Sequence, residues 1–170
     1  MEIHYRKLAS DDSALYRAIR LECLEHFPEF FGATYGEQIA LPKLAFETYI
    51  EEQKPDKFTV GAFDGDALIG ICSVDIETRK KTRHIAEIIQ MYVKPEYKGN
   101  KIGLHLLQTA MQEAFKDPEV QLLKLSVVTT NESAYRIYDQ AGFKEYGRLK
   151  NNFRSDGEYA DQRLMVYYRS

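Results

Sequence analysis

Cysteine occurs only twice in these 170 residues, as Cys23 and Cys72, in separate segments with no metal-ligand spacing around them. Neither a disulfide framework nor a zinc or other metal site is indicated, and both are read as reduced thiols packed as small hydrophobes. Nowhere do the roughly 18 consecutive apolar residues of a membrane span occur. The start, MEIHYRKLASDD, has no apolar core of signal-peptide length, so a cytoplasmic location and no membrane partner are expected. Positive charge is not in excess. With 23 basic against 26 acidic side chains the net charge is -3, which leaves no field to attract a polyphosphate backbone, and nucleic acid is not an expected partner. The nucleophile elbow Gly-x-Ser-x-Gly and the metalloprotease pattern His-Glu-x-x-His are also missing.

What is present suits a soluble globular chain: 44% hydrophobic and 29% charged residues, enough to bury one core over a single domain, 1–170. Residues 2–8 alternate as a strand does, and Ser10, Asp11 and Asp12 offer caps for an amphipathic helix over 13–25. Residues 26–41 are broken by Pro28, Gly32 and Gly36, yet Phe27, Phe30, Phe31 and Tyr35 are too apolar for a plain solvated loop. A second helix is expected over 43–52. From Arg20 to Glu52 seven carboxylates face two basic side chains, which either receive a cationic substrate or simply solvate a helix face.

Asp64-Gly65 has hairpin chemistry between strands over 57–63 and 67–78. The basic run 79–83 is an exposed turn, and a further strand covers 84–93. Ile102, Leu106, Leu107, Ala110, Met111 and Ala114 recur at helical spacing up to Asp117-Pro118. The nearly continuous apolar run 121–129 is a central strand, residues 131–140 form a helix stopped at Gly142, and two strands over 143–152 and 158–168 close the chain. The expected architecture is α/β (α+β), a mixed sheet flanked by helices.

The stretch QMYVKPEYKGNKIGLHLL passes from an apolar strand through a glycine-containing turn directly into a helix. Free amides at a helix start, the helix dipole and close glycine backbones make such a turn an anion site. Here the chain resembles the GNAT superfamily of acetyltransferases, whose loop reads Arg/Gln-x-x-Gly-x-Gly/Ala after Tyr-Val-x-Pro. Two positions depart: Lys98 stands where Arg or Gln is usual and Lys101 where the first glycine is usual, its amide remaining useful if its backbone is helical. Downstream, LSVVTTNESAYRIYDQAGFKEYGR resembles the family's strand, Asn-led helix, tyrosine and Gly-Phe block.

The resemblance implies a mostly antiparallel sheet of about seven strands with about four helices, acetyl-CoA as cosubstrate, and a pantetheine arm lying between two splayed strands. Met91, Tyr92 and Val93 would edge that gap opposite residues 125–127. Lys98, Gly99, Asn100, Lys101, Ile102, Gly103 and Leu104 would hold the diphosphate, and Asn131, Ser133 and Tyr138 the rest of the arm. It further implies Tyr138 as general acid, Glu87 as base, and Tyr159 and Asp161 beside the acceptor pocket.

Glu87 in a regular strand shares a face with Ile85, Ile89, Met91 and Val93, an apolar setting that raises a carboxylate's pKa. An ion pair with Lys124 or Arg83, or a bulge that changes its facing, is the competing reading. Tyr138 competes with core packing, Asn131 with simple helix capping, and His84 is left to packing or solvent. The expected activity is N-acetylation of a small-molecule or peptide amine by a monomer or homodimer. A non-catalytic acyl-CoA-binding domain and a plain interaction domain are the alternatives.

Overall fold

The computed structural model describes residues 1–170. The alternating opening folds as β1 (Ile3–Lys7) and the amphipathic stretch behind it as α1 (Ser13–His26). Asp12 holds the junction, its carboxylate accepting from the Ala9 amide and from Arg6, each at 2.7 Å. The segment read as irregular contains a 3-10 turn at Pro28–Phe30 and a five-residue helix, α2 (Tyr35–Ile39), whose cap Thr34 accepts from the Glu37 amide. The count of α-helices is therefore five rather than about four, because pieces this short show no hydrophobic period.

Helix α3 (Ala45–Glu51) precedes the hairpin of β2 (Lys57–Asp64) and β3 (Ala67–Ile76), followed by β4 (Ile85–Val93). Then come α4 (Ile102–Ala114), β5 (Leu122–Val128), α5 (Glu132–Gln140), β6 (Lys144–Ser155) and β7 (Glu158–Tyr168). Gly142 has φ 103°, the left-handed stop expected after α5.

All seven strands form one sheet in the order β1-β2-β3-β4-β5-β7-β6. Only the β4–β5 pair is parallel, as the α4 crossover between them requires. The apolar face of α4 covers one side of the sheet, with Leu106, Leu107, Ala110 and Ala114 wholly buried. Each large aliphatic side chain so buried contributes about 1.5–3 kcal/mol. On the other side, Tyr16, Ile19 and Cys23 of α1 join Leu44, Phe46 and Ile50 in a second cluster.

Strand β4 is not regular. Ile89 pairs with Ser73 but Tyr92 pairs with Ile71, so two residues of β4, Gln90 and Met91, oppose Cys72 alone, and Gln90 takes φ 57°. This bulge reverses the facing of the strand. Before it, Ala86 and Ile88 pack toward α4; beyond it, Met91 and Val93 do, while Tyr92 joins Ile89 in the cluster under α1. The expectation that Glu87 shares a face with Met91 and Val93 is thus corrected: it shares one with Ile89 and Tyr92. A buried polar chain secures the bulge, the Gln90 side-chain Oε1 accepting from the Tyr16 hydroxyl at 2.7 Å and from the Ser73 hydroxyl at 3.0 Å, with Ser73 in turn bonded to Thr59 at 2.7 Å. Because every member is bonded, the chain holds Gln90 in one place.

Candidate active site

The parallel pairing of β4 with β5 lasts only from Ile85–Glu87 against Leu122–Lys124. Past that point β4 stays with β3 as far as Val93, and β5 stays with β7 as far as Val128. The two central strands therefore part, leaving residues 91–93 and 125–127 as facing edges whose backbone groups are free to pair with an inserted chain carrying amides. A cleft of about 380 Å³ opens from this gap. Its walls include Met91, Tyr92 and Val93 from β4, Ser133, Ile137 and Tyr138 from α5, and Phe27, Phe30 and Phe31 from the segment after α1.

The cleft runs to the turn ahead of α4. Gly99 has φ 97° and Lys101 φ 57°, ψ 18°, so two left-handed residues turn the chain into the helix. Lys101 is not helical in the right-handed sense, as its expected use of the amide required; it keeps the conformation that a glycine would adopt without strain. The result is that none of the amides of residues 99–104 meets an acceptor within the protein, six consecutive donors at a helix start. Such an array, with the helix dipole behind it, is made for a phosphate-type anion. The Lys98 ammonium lies over the Phe27 ring, 5.5 Å from its centroid. Gly103 serves contact rather than conformation: a Cβ there would stand 2.8 Å from Ile137 Cδ1, so its hydrogen lets α5 pack against α4.

A second cleft of about 330 Å³ lies on the other side of Tyr138. Glu87, Gln90, Ser126 and Gln162 line it together with Arg20 of α1 and the rings of Phe30, Phe31 and Phe153. Met91, Asn131 and Tyr138 border both clefts, which places them at the junction. Tyr138 is 6% exposed, edge-on to Phe143, and burial, helped by the neighbouring Cys72 sulfur, pushes its phenol pKa well up. It stays a proton donor at neutral pH. Burial likewise raises the Glu87 carboxyl, against the opposing pull of Lys124, whose Nζ lies at 3.9 Å. Of the competing readings, the ion pair with Lys124 is present, but it is long and more than a third exposed on each side, so it holds the carboxylate only weakly.

Asn131 caps α5, accepting from the Ala134 amide at 3.2 Å, while still facing the junction. Of the residues carried over from the resemblance, Met91, Tyr92, Val93, Lys98, Gly99, Lys101, Ile102, Gly103, Leu104, Asn131, Ser133 and Tyr138 line the first cleft, whereas the side chain of Asn100 does not. Tyr159 and Asp161 stand apart from both clefts. Tyr159 is 57% exposed under Arg154, and Asp161 accepts from the Asn151 amide at 2.9 Å, holding an irregular stretch of β6 where Asn151 has φ 56°.

The structure adds Arg20, Gln90, Phe153 and Gln162, which no local pattern had marked. The apolar excess of Phe27, Phe30 and Phe31 was the one signal in the sequence for the wall they form. None of the seven carboxylates from Glu22 to Glu52 lines either cleft; Glu22 accepts from Tyr92 at 2.9 Å, Glu47 pairs with Arg17 at 2.8 Å and Glu51 pairs with Lys43. The idea that they receive a cationic substrate loses its support.

A model of the acetyltransferase (GNAT) family matches residues 16–143. The chain is 28% identical over 150 residues to a spermidine N(1)-acetyltransferase of Thermoplasma acidophilum, covering 85% of this chain and 89% of that protein. It is 29% identical over 147 residues to a putative ribosomal protein bS18-alanine N-acetyltransferase of Bacillus subtilis, covering 86% and 91%. In three dimensions it matches an acetyltransferase of the GNAT family from Streptococcus pneumoniae with a TM-score of 0.87 at 25% identity, over 99% and 100% of the two chains. A putative acetyltransferase from Salmonella typhimurium, solved with its cofactor acetyl-CoA, matches with a TM-score of 0.78 at 16% identity over 98% and 93%. With its splayed central strands, its amide-rich turn and a family model spanning most of its length, the chain belongs to the acetyltransferase (GNAT) family.

Proposed function

We propose that this protein transfers an acetyl group from acetyl-CoA to a primary amine of a small molecule or peptide by direct attack in a ternary complex. The observation that carries this reading is the pairing of an open gap between β4 and β5 with six unpartnered amides at its end. An arm with two amides fits the free strand edges of such a gap, and a diphosphate fits the donors around residues 99–104, so acetyl-CoA suits the first cleft in both shape and chemistry. When bound, acetyl-CoA supplies an electrophilic carbonyl and a thiol leaving group.

The protein's own groups then act on protons and positions. Glu87 faces the second cleft, where the amine enters, and its raised pKa makes it a better match to an ammonium proton than an ordinary carboxylate. Tyr138, at the junction of the clefts, donates its phenolic proton to the departing sulfur. Holding amine and thioester in adjoining clefts supplies a large part of the acceleration through effective concentration. The polar chain behind Gln90 keeps the bulge, and with it the mouth of the gap, from collapsing. This reading also places the protein in the cytoplasm, where buried Cys23 and Cys72 stay as thiols.

A second, acceptor-sized cleft meeting the first at a buried phenol favours a catalyst over a non-catalytic acyl-CoA sensor. The test is to supply acetyl-CoA with a panel of amines and to follow both thiol release and the mass of the amine. Transfer of one acetyl group per thiol released is expected. Tight acetyl-CoA binding without acetylation of any amine would instead identify the sensor.

A further inference from the structure

Arg20 is 6% exposed, projects from the middle of α1 to line the second cleft, and has no carboxylate partner. Its guanidinium reaches only the Cys23 sulfur, at 3.9 Å, and the face of Phe31, 5.1 Å from the ring centroid. The thiol is neutral, since burial drives its pKa up to about 12, and so it offers no counter-charge. No carboxylate pairs with it: Glu22 is bound to Lys94 at 3.6 Å and Glu47 to Arg17 at 2.8 Å, and Glu87, which lines the same cleft, makes its only ion pair with Lys124, at 3.9 Å. A guanidinium carries five N–H donors and cannot shed its proton, so burying it unpaired is costly unless something arrives to pair with it. Its free nitrogens are not sealed in; the only fully occluded unbonded side-chain atoms of the chain are Thr82 Oγ1 and Arg163 Nε. Beside Arg20 in the same cleft, Gln162 is 4% exposed and its side-chain amide has no partner either.

Two unsatisfied, almost fully buried polar groups thus converge on the cleft reserved for the amine. The cosubstrate's phosphates do not account for the cation, because Arg20 is not part of the first cleft, where the amides of residues 99–104 lie. We propose that Arg20, assisted by Gln162, is the anion-binding pole of the acceptor site, and that the acceptor is an amino carboxylate such as a free amino acid. This deepens the acetyl-transfer function proposed above and rests on it. The cleft then separates charges in a useful way. The carboxylate of the acceptor meets Arg20 in a charge-assisted pair, its amine faces Glu87 and the junction at Tyr138, and its side chain lies against Phe30 and Phe153. A polyamine has no group for Arg20, and a peptide N-terminus has had its α-carboxylate converted to an uncharged amide.

The test compares free amino acids, the carboxamides of the same amino acids, an N-terminal peptide and spermidine as acceptors, each with acetyl-CoA. Amino acids are expected to be preferred, with kcat/KM falling at least about tenfold when the carboxylate becomes a carboxamide. Arg20→Gln is expected to erase that difference by raising KM for amino acids, while acetyl-CoA affinity, measured by calorimetry on the same preparation, stays at the wild-type value and reports an intact fold. Titration of amino acids into the protein–CoA complex provides a readout that needs no turnover. Amino acid binding that Arg20→Gln removes supports the anion pole even if no acetyl group moves, in which case transfer alone is refuted. Equal use of amino acids and their carboxamides by the wild-type protein, or preference for spermidine or the peptide, would overturn the proposal while leaving acetyl transfer standing.

Discussion

Burial acts on Tyr138 and Glu87 in the same direction and so suits them to opposite tasks. The phenol, already a weak acid, is held protonated at neutral pH and is available as a donor. Tyr138→Phe keeps the ring against Phe143 and removes only the hydroxyl, so kcat should fall by about 10²-fold or more while acetyl-CoA affinity is nearly unchanged. Thiol release and calorimetry measure the two separately; undiminished turnover would reassign the acid. For Glu87 the raised pKa means that the ionised, basic form is lost as pH falls through a value above the ordinary carboxylate range. Turnover should therefore drop on the acid side, and Glu87→Gln should flatten that limb and lower the plateau. The stability sign is the reverse. A carboxyl whose folded pKa is raised favours the fold below its unfolded pKa, and that contribution disappears as pH rises through the folded value. The thermal midpoint of Glu87→Gln should accordingly equal or exceed that of the wild type at pH 7, and the difference should close in acid. A limb that survives the substitution points to another base.

At the scale of single elements, the turn into α4 carries the least expected feature. Lys101 occupies a left-handed conformation that costs a residue with a Cβ roughly 1–2 kcal/mol relative to the right-handed region. The compensation is local: this geometry leaves the amides of residues 99–104 pointing away from internal acceptors and open to a ligand. Lys101→Gly should relieve the strain and raise stability by about 0.5–1 kcal/mol net of the entropy that glycine adds to the unfolded chain. It also removes one positive charge at the anion site, so the salt dependence of acetyl-CoA binding should become shallower. Denaturation midpoints and titrations at two ionic strengths check both effects. A less stable variant would mean that the lysine stem packs usefully in this turn. The bulge of β4 is the corresponding device in the sheet, and it turned Glu87 away from the residues that a regular strand would have placed beside it.

For the whole molecule, the two apolar clusters lie on opposite faces of one sheet and draw on the same strands β2, β3 and β4. Neither can be lost without exposing the other's backing. The chain should therefore melt as one unit, with calorimetric and van't Hoff enthalpies equal and a single transition shared by all probes. Two separable transitions would show that the β5–β7–β6 side unfolds on its own. No helix is long and apolar enough to cross a membrane.

The order of strands and long helices was legible in the sequence because each is marked by local signals: alternation in β1, the helical period of Ile102 to Ala114, the Asp64-Gly65 turn and the Gly142 stop. The anion turn and the Asn131 to Tyr138 helix were legible for the same reason, since their donors and caps are neighbours along the chain. Tertiary structure alone decided the rest. Which way Glu87 faces depends on one extra residue in β4, held by Tyr16 and Ser73 from two other elements. The convergence of Arg20, Gln90, Phe153 and Gln162 on one cleft depends on packing between segments more than a hundred residues apart, and no spacing along the chain encodes a contact of that range.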